Sequence, residues 1–301
     1  MSGAPRTPTI PTKSSWLMTR VRGFFHAEIL LRVSSWYIRY CDFRRIQYPY
    51  FDSPDIYVLP FNTIIKWTER TREEEALSMS LAHALGLPVP RVLSYGDDGS
   101  GTGGSIWMTY IPGDQLSQVW YNLSDAERST IMDQLHLCLL RLRACQNPRS
   151  PQISSITGTY IKSFRTCEGV IPPCTDKADF LRYLISARDP NFRKVNEALF
   201  DEETRKVKLL EEIPHSIIFA HGDLYRHNVL VKDGRLSGII DWECAGWLPE
   251  YWDYTTMAVR GYQFPGSTWH AALYENSAFK YHKELECEHA LVVATEASFP
   301  R

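Results

Sequence analysis

The stretch HGDLYRHNVLV, residues 221–231, decides how the chain is interpreted. The apolar run SIIFA precedes it and the apolar segment NVLV ends it, so its ionisable residues lie between two predicted buried strands. The next residues, KDG at 232–234, predict a hairpin turn, and the return strand RLSGIID ends in Asp241. Folding of this hairpin is expected to bring Asp223, Asn228 and Asp241 to the same end of the strands.

The three polar residues predict a phosphate-handling site. Mg²⁺ prefers carboxylate and amide oxygens and keeps waters that a substrate phosphate can replace, so Asn228 and Asp241 form a plausible metal pair. Asp223 is then left to face a substrate hydroxyl. A single Asp or Asn in a loop is usually a turn residue, and only the combination at this spacing favours chemistry.

The combined pattern resembles the aminoglycoside phosphotransferase and choline kinase superfamily, which is built like protein kinases. It consists of H-G-D-x-x-x-x-N followed by an I-D-x-E segment, and IIDWECAGWLPEYWDY at 239–254 looks like the fungal branch. The resemblance covers residues from about 55 to about 260. It implies that Asp223 is the catalytic base, that Asn228 and Asp241 hold Mg²⁺, that His221 braces the loop, and that Glu243 supports the metal or the substrate. Arg226 and His227 either contact phosphate or substrate, or form a solvated loop face.

Upstream, the sequence predicts a small α+β unit. DIYVLPFNTIIKW at 55–67 indicates a hairpin, a helix follows at about 71–86, and PRVLSYG and SIWMTYI indicate two more strands. Gly86 and Pro88 end the helix.

Lys66 lies between apolar residues in IIKW, and a buried amine is costly unless it meets an anion. The resemblance implies that Lys66 binds the α- and β-phosphates of ATP and that Glu75 on the next helix orients it. Glu73 and Glu74 are rivals for that partnership. A surface lysine at the end of an edge strand is the structural alternative.

The nucleotide site also departs from the protein kinase pattern. WMTYIPG at 107–113 resembles the hinge between lobes, where Met108, Thr109 and Ile111 would contact adenine. Residues 42–62 contain no glycine, although protein kinases have a glycine-rich loop over the phosphates there. The glycine-rich GDDGSGTGG at 96–104 follows the Lys66 strand, so it predicts a hairpin tip.

The rest of the chain predicts a mainly helical lobe. Ser124 and Glu127 form a capping box that begins an amphipathic helix at 124–145. Further helices are expected at about 176–187, 191–213, 250–261 and 269–292, with only three short strands, HSIIFA, NVLV and RLSGIID. Asp253 lies twelve residues after Asp241, too close for the activation segment of a protein kinase. The resemblance implies that Asp253 begins a helix and supports the catalytic loop.

Four regions are predicted along the chain. Residues 1–15 are expected to be a flexible arm and residues 16–50 a helical extension. Residues 51–112 are expected to form the N-lobe and residues 113–301 the C-lobe, with a catalytic loop at 221–228 and a metal segment at 239–243. The arginines of the extension form either a binding surface or, in the simpler interpretation, a solvated helix face.

The bulk composition is that of an ordinary globular protein, with 301 residues, 44% hydrophobic and 23% charged. The formal net charge of -2 gives no reason to expect a nucleic acid or a membrane as partner, and no apolar run is long enough to span a bilayer. The seven cysteines are odd in number and scattered, which favours a reducing, cytoplasmic location. The oligomeric state is not readable.

The sequence as a whole predicts a two-lobed, kinase-like α+β fold. The expected activity is ATP- and Mg²⁺-dependent transfer of a phosphoryl group to a hydroxyl of a small molecule, such as an aminoglycoside, amino alcohol, sugar or secondary metabolite. One alternative is a catalytically silent binding or scaffold protein, and a second is a protein kinase.

Overall fold

A computed structural model describes residues 8–51, 53–97, 99, 103–166, 168–186, 197–259, 267–275 and 281–295. The chain divides into two compact units. The smaller unit is formed by Thr9–Pro112 and Gly238–Glu243, and the larger chiefly by Gly113–Ser237 and Cys244–Arg301. The mixed α+β class expected from the sequence is confirmed.

The smaller unit begins with one continuous helix made of three parts: α1 (Trp16–Phe25), a π-helical turn (His26–Leu30) and α2 (Leu31–Arg44). His26 connects this helix to the sheet through two side-chain hydrogen bonds. Its Nδ1 lies 2.7 Å from the Ser105 hydroxyl, and its Nε2 lies 2.7 Å from the Ser94 hydroxyl. Burial, with the nearby charge of Arg22, lowers the pKa of His26 to about 4, so the ring is neutral at pH 7.

A four-stranded antiparallel sheet forms the body of this unit. Its strands are β1 (Ile56–Leu59), β2 (Thr63–Thr68), β3 (Val92–Asp97) and β4 (Gly104–Thr109), in the order β1-β2-β4-β3. Helix α3 (Glu73–Ala84) connects β2 to β3. The predicted hairpin, helix and following strands are therefore confirmed.

The larger unit is mainly helical. Its elements are β5 (Asp114–Gln115), α4 (Leu116–Val119), α5 (Asp125–Arg143), β6 (Ile161–Lys162), β7 (Val170–Ile171), α6 (Lys177–Ser186), α7 (Glu197–Glu212), β8 (Ile217–Ala220), β9 (Val229–Lys232), β10 (Arg235–Ile239), β11 (Gly246–Pro249), α8 (Trp252–Val259), α9 (Thr268–Glu275) and α10 (His282–Thr295). The strand orders are β10-β9-β5, β11-β8 and β6-β7. The capping box at Ser124 and Glu127 is present at the start of α5.

Two expectations for this unit were wrong. The sequence predicted only three short strands, whereas β5, β6, β7 and β11 are also present. Two-residue strands are too short to show an alternating pattern, and β11 contains Gly and Pro, which are depleted in strands. A single helix was expected at 269–292, whereas the described residues there form α9 and α10, and Tyr281, directly before α10, is not helical.

The core of the larger unit includes Phe180, Tyr251 and Trp252, all fully buried. Six cysteines in the described part of the chain are buried and free of disulfides, and Cys167 lies outside that part. Among the described residues, no helix is long and apolar enough to cross a membrane.

Candidate active site

In the smaller unit, Lys66 on β2 projects its ammonium group between two carboxylates. Its Nζ donates to Glu75 Oε1 at 2.9 Å and to Asp241 Oδ1 at 2.7 Å. The Lys66 side chain is 15% exposed, that of Glu75 2% and that of Asp241 34%. The Lys66 ammonium group is thus largely shielded from water. Of its two carboxylate partners, Glu75 is buried and Asp241 is partly exposed.

The charged groups of this cluster change one another's pKa values. Burial alone would lower the pKa of Lys66, but the charges of Glu75 and Asp241 outweigh it and raise that pKa above its ordinary value. Burial raises the pKa of Glu75, and the charge of Lys66 offsets this only in part. Lys66 is therefore a fixed cation at neutral pH.

Three consecutive glutamates at the start of α3 have three different partners. Glu75 meets Lys66, Glu74 lies 2.8 Å from Lys13 Nζ, and Glu73 accepts from the Ser14 backbone N–H at 2.7 Å. Lys13 and Ser14 belong to the segment expected to be a flexible arm, and they contact the helix that carries Glu75. Of the rivals considered for Lys66, Glu73 and Glu74 are engaged elsewhere.

Asp241 follows β10 in a left-handed backbone conformation, with φ of 64°. Such a conformation is uncommon outside glycine and is often found where a side chain must be aimed for function. Carboxylate oxygens of Glu75, Asp241 and Glu243 all lie within 4.8 Å of one another. Hard oxygen donors at this spacing fit a Mg²⁺ ion, and Glu75 Oε2 is buried without a hydrogen-bond partner in the described part of the chain.

In the larger unit, the loop between β8 and β9 folds back on itself around Asp223 and Asn228. Asn228 Nδ2 donates to the Asp223 carbonyl at 2.8 Å and to Asp223 Oδ2 at 3.1 Å. This leaves the amide oxygen of Asn228 as the atom able to hold a metal. Asp223 is also 3.5 Å from His227 Nε2, and its side chain is 15% exposed.

Asp253 in α8 holds the start of this loop. Its two carboxylate oxygens accept from the backbone N–H groups of His221 at 3.0 Å and Gly222 at 2.9 Å. Trp252 Nε1 donates to the Gly222 carbonyl at 3.2 Å. Burial raises the pKa of Asp253, and the two backbone hydrogen bonds that its carboxylate accepts act in the other direction.

Gly222 is required by this geometry for two reasons. Its φ is 84°, which disfavours any residue with a Cβ, and a Cβ there would lie 1.9 Å from the Cys244 carbonyl oxygen. His221, fully buried, accepts from the Asp223 N–H through Nδ1 at 3.3 Å. The backbone preceding Asp223 is thus fixed by α8 and by close packing.

The model of the phosphotransferase enzyme family matches residues 52–287. The chain belongs to this family. It is a small-molecule kinase, and the superfamily resemblance drawn from the catalytic-loop pattern is confirmed, while its fungal branch stays a prediction.

Solved structures of aminoglycoside phosphotransferases share the fold of this phosphotransferase. One of APH(4)-Ia is 13% identical, with a TM-score of 0.57 over 89% of this chain and 92% of that chain. A thermostable mutant of APH(4)-Ia, in ternary complex with AMP-PNP and hygromycin B, is 14% identical, with a TM-score of 0.55 over 81% of this chain and 82% of that one. A GDP and kanamycin complex of APH(2")-IIia is 16% identical, with a TM-score of 0.54 over 83% and 82%. No curated protein matches the chain in sequence.

The predicted hinge of the phosphotransferase lies at the end of β4. Met108 pairs with Ile64 in the sheet, and the Thr109 N–H donates to the Arg91 carbonyl at 3.0 Å. Ile111 lies against Gly238, where an added Cβ would be 2.9 Å from Ile111 Cγ2. The sheet therefore already uses the Thr109 N–H, and adenine contact by Met108, Thr109 and Ile111 stays a prediction.

Sequence reasoning missed the surroundings of Arg226 in the catalytic loop. Its guanidinium carbon lies 6.0 Å from the Tyr121 ring, 5.6 Å from the Tyr225 ring and 5.5 Å from the Trp269 ring. Nε and Nη1 are buried without hydrogen-bond partners in the described part of the chain, so cation–π contacts surround this cation. Tyr121 and Trp269 are remote in sequence, and no local signal could have indicated them.

Proposed function

We propose that this phosphotransferase moves the γ-phosphoryl group of ATP, bound with Mg²⁺, to a hydroxyl of a small molecule. The observation that carries the proposal is the position of Lys66 between Glu75 and Asp241. A lysine–glutamate ion pair of this kind orients the amine toward the α- and β-phosphates in kinase-type phosphoryl transfer. The AMP-PNP and GDP named for the similar structures support a nucleotide donor.

Asp223 is the proposed catalytic base. It is held by Asn228 on one side and by the braced backbone of His221 and Gly222 on the other, with a partly exposed carboxylate. A carboxylate fixed in this way can orient an acceptor hydroxyl and take its proton as the new P–O bond forms, while the bond from the γ-phosphorus to the β-phosphate oxygen breaks and ADP leaves. The reaction then relies on positioning and charge neutralisation, without a covalent enzyme intermediate.

Mg²⁺ is the proposed metal, with Asn228 and Asp241 as its ligands and Glu243 in support. When bound, the ion would neutralise charge on the nucleotide phosphates. Because Asp241 Oδ1 is within 2.7 Å of Lys66 Nζ, the same carboxylate would link the lysine and the metal.

The acceptor class remains an aminoglycoside, amino alcohol, sugar or secondary metabolite. Hygromycin B and kanamycin, named for the similar structures, support a small polyhydroxylated acceptor. A protein acceptor is disfavoured, because a short 3₁₀ turn at Trp242–Cys244 and β11 occupy the interval between Asp241 and Asp253. We place the enzyme in the cytoplasm, which its free cysteines support.

A catalytically silent binding protein is the competing candidate, favoured by one observation. The connection between β1 and β2 is only residues 60–62, with no glycine to cover the phosphates. Mg²⁺-dependent ATP consumption by the purified protein, screened across the acceptor classes above, separates the two candidates, and GTP in parallel tests the donor.

Two substitutions test the division of roles. Asp223→Asn should leave Mg²⁺-ATP binding nearly intact but slow turnover by about 10² to 10⁴, the usual size of a general-base contribution. Asp241→Asn should weaken both binding and turnover, because it removes a charged metal ligand. Calorimetric titration of both variants with Mg²⁺-ATP, together with their turnover rates, tests whether Asp223 and Asp241 have these different roles. Equal binding losses, or undiminished turnover in Asp223→Asn, would show that the roles are wrong.

A further inference from the structure

The inner face of the N-terminal helix, residues 16–44, carries small side chains together with His26 and Leu30, and most of its large apolar side chains point outward. Thr19, Gly23, Ser34 and Cys41 are buried. The approach to β3 is close, because a Cβ on Gly23 would lie 1.9 Å from the Asp97 carbonyl oxygen. Eight of the exposed apolar residues form what we call the outer seam: Leu17, Val21, Phe24, Ile29, Val33, Trp36, Tyr40 and Phe43, each 37–84% exposed. Trp16, Met18 and Phe25 are also exposed.

The outer seam runs in one line along the whole helix. Its residues are spaced 4-3-5-4-3-4-3, and the single step of five, from Phe24 to Ile29, falls on the π-helical turn. A π-turn contains one more residue than an α-turn, so the step of five keeps the seam residues of α1 and α2 on the same side of the helix. At 1.5 Å per residue the helix is roughly 40 Å long. An apolar line of this length and exposure on a folded protein marks an interaction surface.

The charge of the helix shows what kind of surface it fits. Residues 16–45 contain six arginines and two acids, a net charge of +4, and since the whole chain carries -2, the remainder carries -6. Around the helix axis, Arg32 and Arg39 flank the seam on one side and Arg44 flanks it on the other. The expectation that no membrane is bound rested on the net charge of the whole chain, which conceals this basic segment.

A protein partner fits the seam less well. A second copy of this helix would bring two +4 segments together, which repel each other. A coiled-coil seam is typically filled by Leu, Ile and Val, whereas Trp36, Tyr40 and Phe43 occupy three successive seam positions here. Aromatic side chains with flanking arginines are the composition of helices that lie in the headgroup region of a bilayer.

We propose that the helix at residues 16–44 binds in the plane of an anionic lipid bilayer. The outer seam enters the boundary between headgroups and acyl chains, and the flanking arginines meet lipid phosphates and carboxylates. Such a helix lies on the membrane and does not span it, in keeping with the five arginines of residues 16–44.

Sedimentation of the full chain with vesicles tests this. The protein should bind vesicles containing about 30% phosphatidylserine at least tenfold more tightly than pure phosphatidylcholine vesicles, and salt of about 0.5 M should release it. Trp36→Ser with Phe43→Ser should weaken that binding by about tenfold or more. The matched control is Leu137→Ser with Leu140→Ser on α5, where both leucines are also exposed, and its binding should be unchanged.

Three results would overturn the proposal. One is failure of the wild-type chain to bind anionic vesicles, and another is equal binding by the seam variant. The third is a wild-type dimer in light scattering that Trp36→Ser with Phe43→Ser converts to a monomer, since a second copy would then cover the seam. Circular dichroism of both double variants should match the wild type, because all four side chains are exposed.

Discussion

Replacement of Lys66 by methionine removes the cation between Glu75 and Asp241 while keeping most of the side-chain volume. Loss of one member of a buried ion pair costs about 3 to 5 kcal/mol, because the remaining charge is left uncompensated. Glu75 is 2% exposed and would experience this cost in full, whereas Asp241 is 34% exposed and is screened by water. We therefore expect a loss of about 3 kcal/mol in the free energy of unfolding at pH 8.

The loss should depend on pH with a definite sign. Burial and the Asp241 charge raise the pKa of Glu75, and without Lys66 nothing in the cluster lowers it. In the folded variant Glu75 therefore keeps its proton at pH values where Glu75 of the unfolded chain, with the ordinary glutamate pKa of about 4.3, has released it. The stability of the variant thus falls as pH rises. The deficit relative to wild type should be smaller at pH 5 than at pH 8. In the wild type, the raised pKa of Lys66 keeps the amine charged throughout this range.

The matched control is Lys66→Met combined with Glu75→Gln. The second change removes the uncompensated buried carboxylate, so it should restore about 2 kcal/mol of the loss at pH 8. Urea-induced unfolding followed by tryptophan fluorescence at pH 5 and pH 8 measures all three proteins. A cost below about 1 kcal/mol for Lys66→Met at pH 8 would refute the reasoning. So would a double variant no more stable than the single one.

Two further predictions concern Gly222 and His26. Gly222→Ala should destabilise the larger unit by at least about 2 kcal/mol, because the added Cβ would lie 1.9 Å from the Cys244 carbonyl oxygen. The control is Gly169→Ala, where φ is 69° but no atom lies within 4 Å of the added Cβ. It should cost only about 1 kcal/mol in the same unfolding assay. His26 has a pKa lowered to about 4, so its contribution to stability is complete above pH 6.5 and is lost as pH falls toward 4. A His26→Asn variant should show a flatter stability profile between pH 6.5 and pH 4, and an unchanged slope would contradict the neutral, buried ring.

The elements that the sequence predicted correctly carry strong local signals. The capping box at Ser124 fixes the start of α5, and the hairpin at 55–67 follows from its two short apolar runs around an Asn-containing turn. The strand β11 has no such signal, because its Gly and Pro oppose strand formation. Its stability comes from pairing with β8, in which Gly246 faces Ala220 and Pro249 faces Ile217. Tertiary pairing of this kind is invisible to local propensity.

Within the candidate site, the glutamate that pairs with Lys66 also could not be selected from local sequence signals alone. Successive residues on a helix point about 100° apart, so Glu73, Glu74 and Glu75 face three directions. The sequence places all three within reach of a strand lysine but does not say how α3 is rotated against β2. In the structure that rotation directs Glu75 inward and leaves the other two for Ser14 and Lys13. The ion-pair residue could be named from family resemblance, but its selection is a consequence of packing.

The turn between β1 and β2 determines how the proposed nucleotide would be held. Phe61 and Asn62 both adopt left-handed backbone conformations, with φ of 63° and 53°, and the Phe61 side chain is 93% exposed. A turn this short cannot lay several backbone N–H groups along a triphosphate, as a glycine-rich loop does. Charge must then replace the missing hydrogen bonds. Lys66 is suited to this, because its orientation is fixed by Glu75 and Asp241 before any phosphate arrives, so little conformational entropy is lost when the phosphate binds.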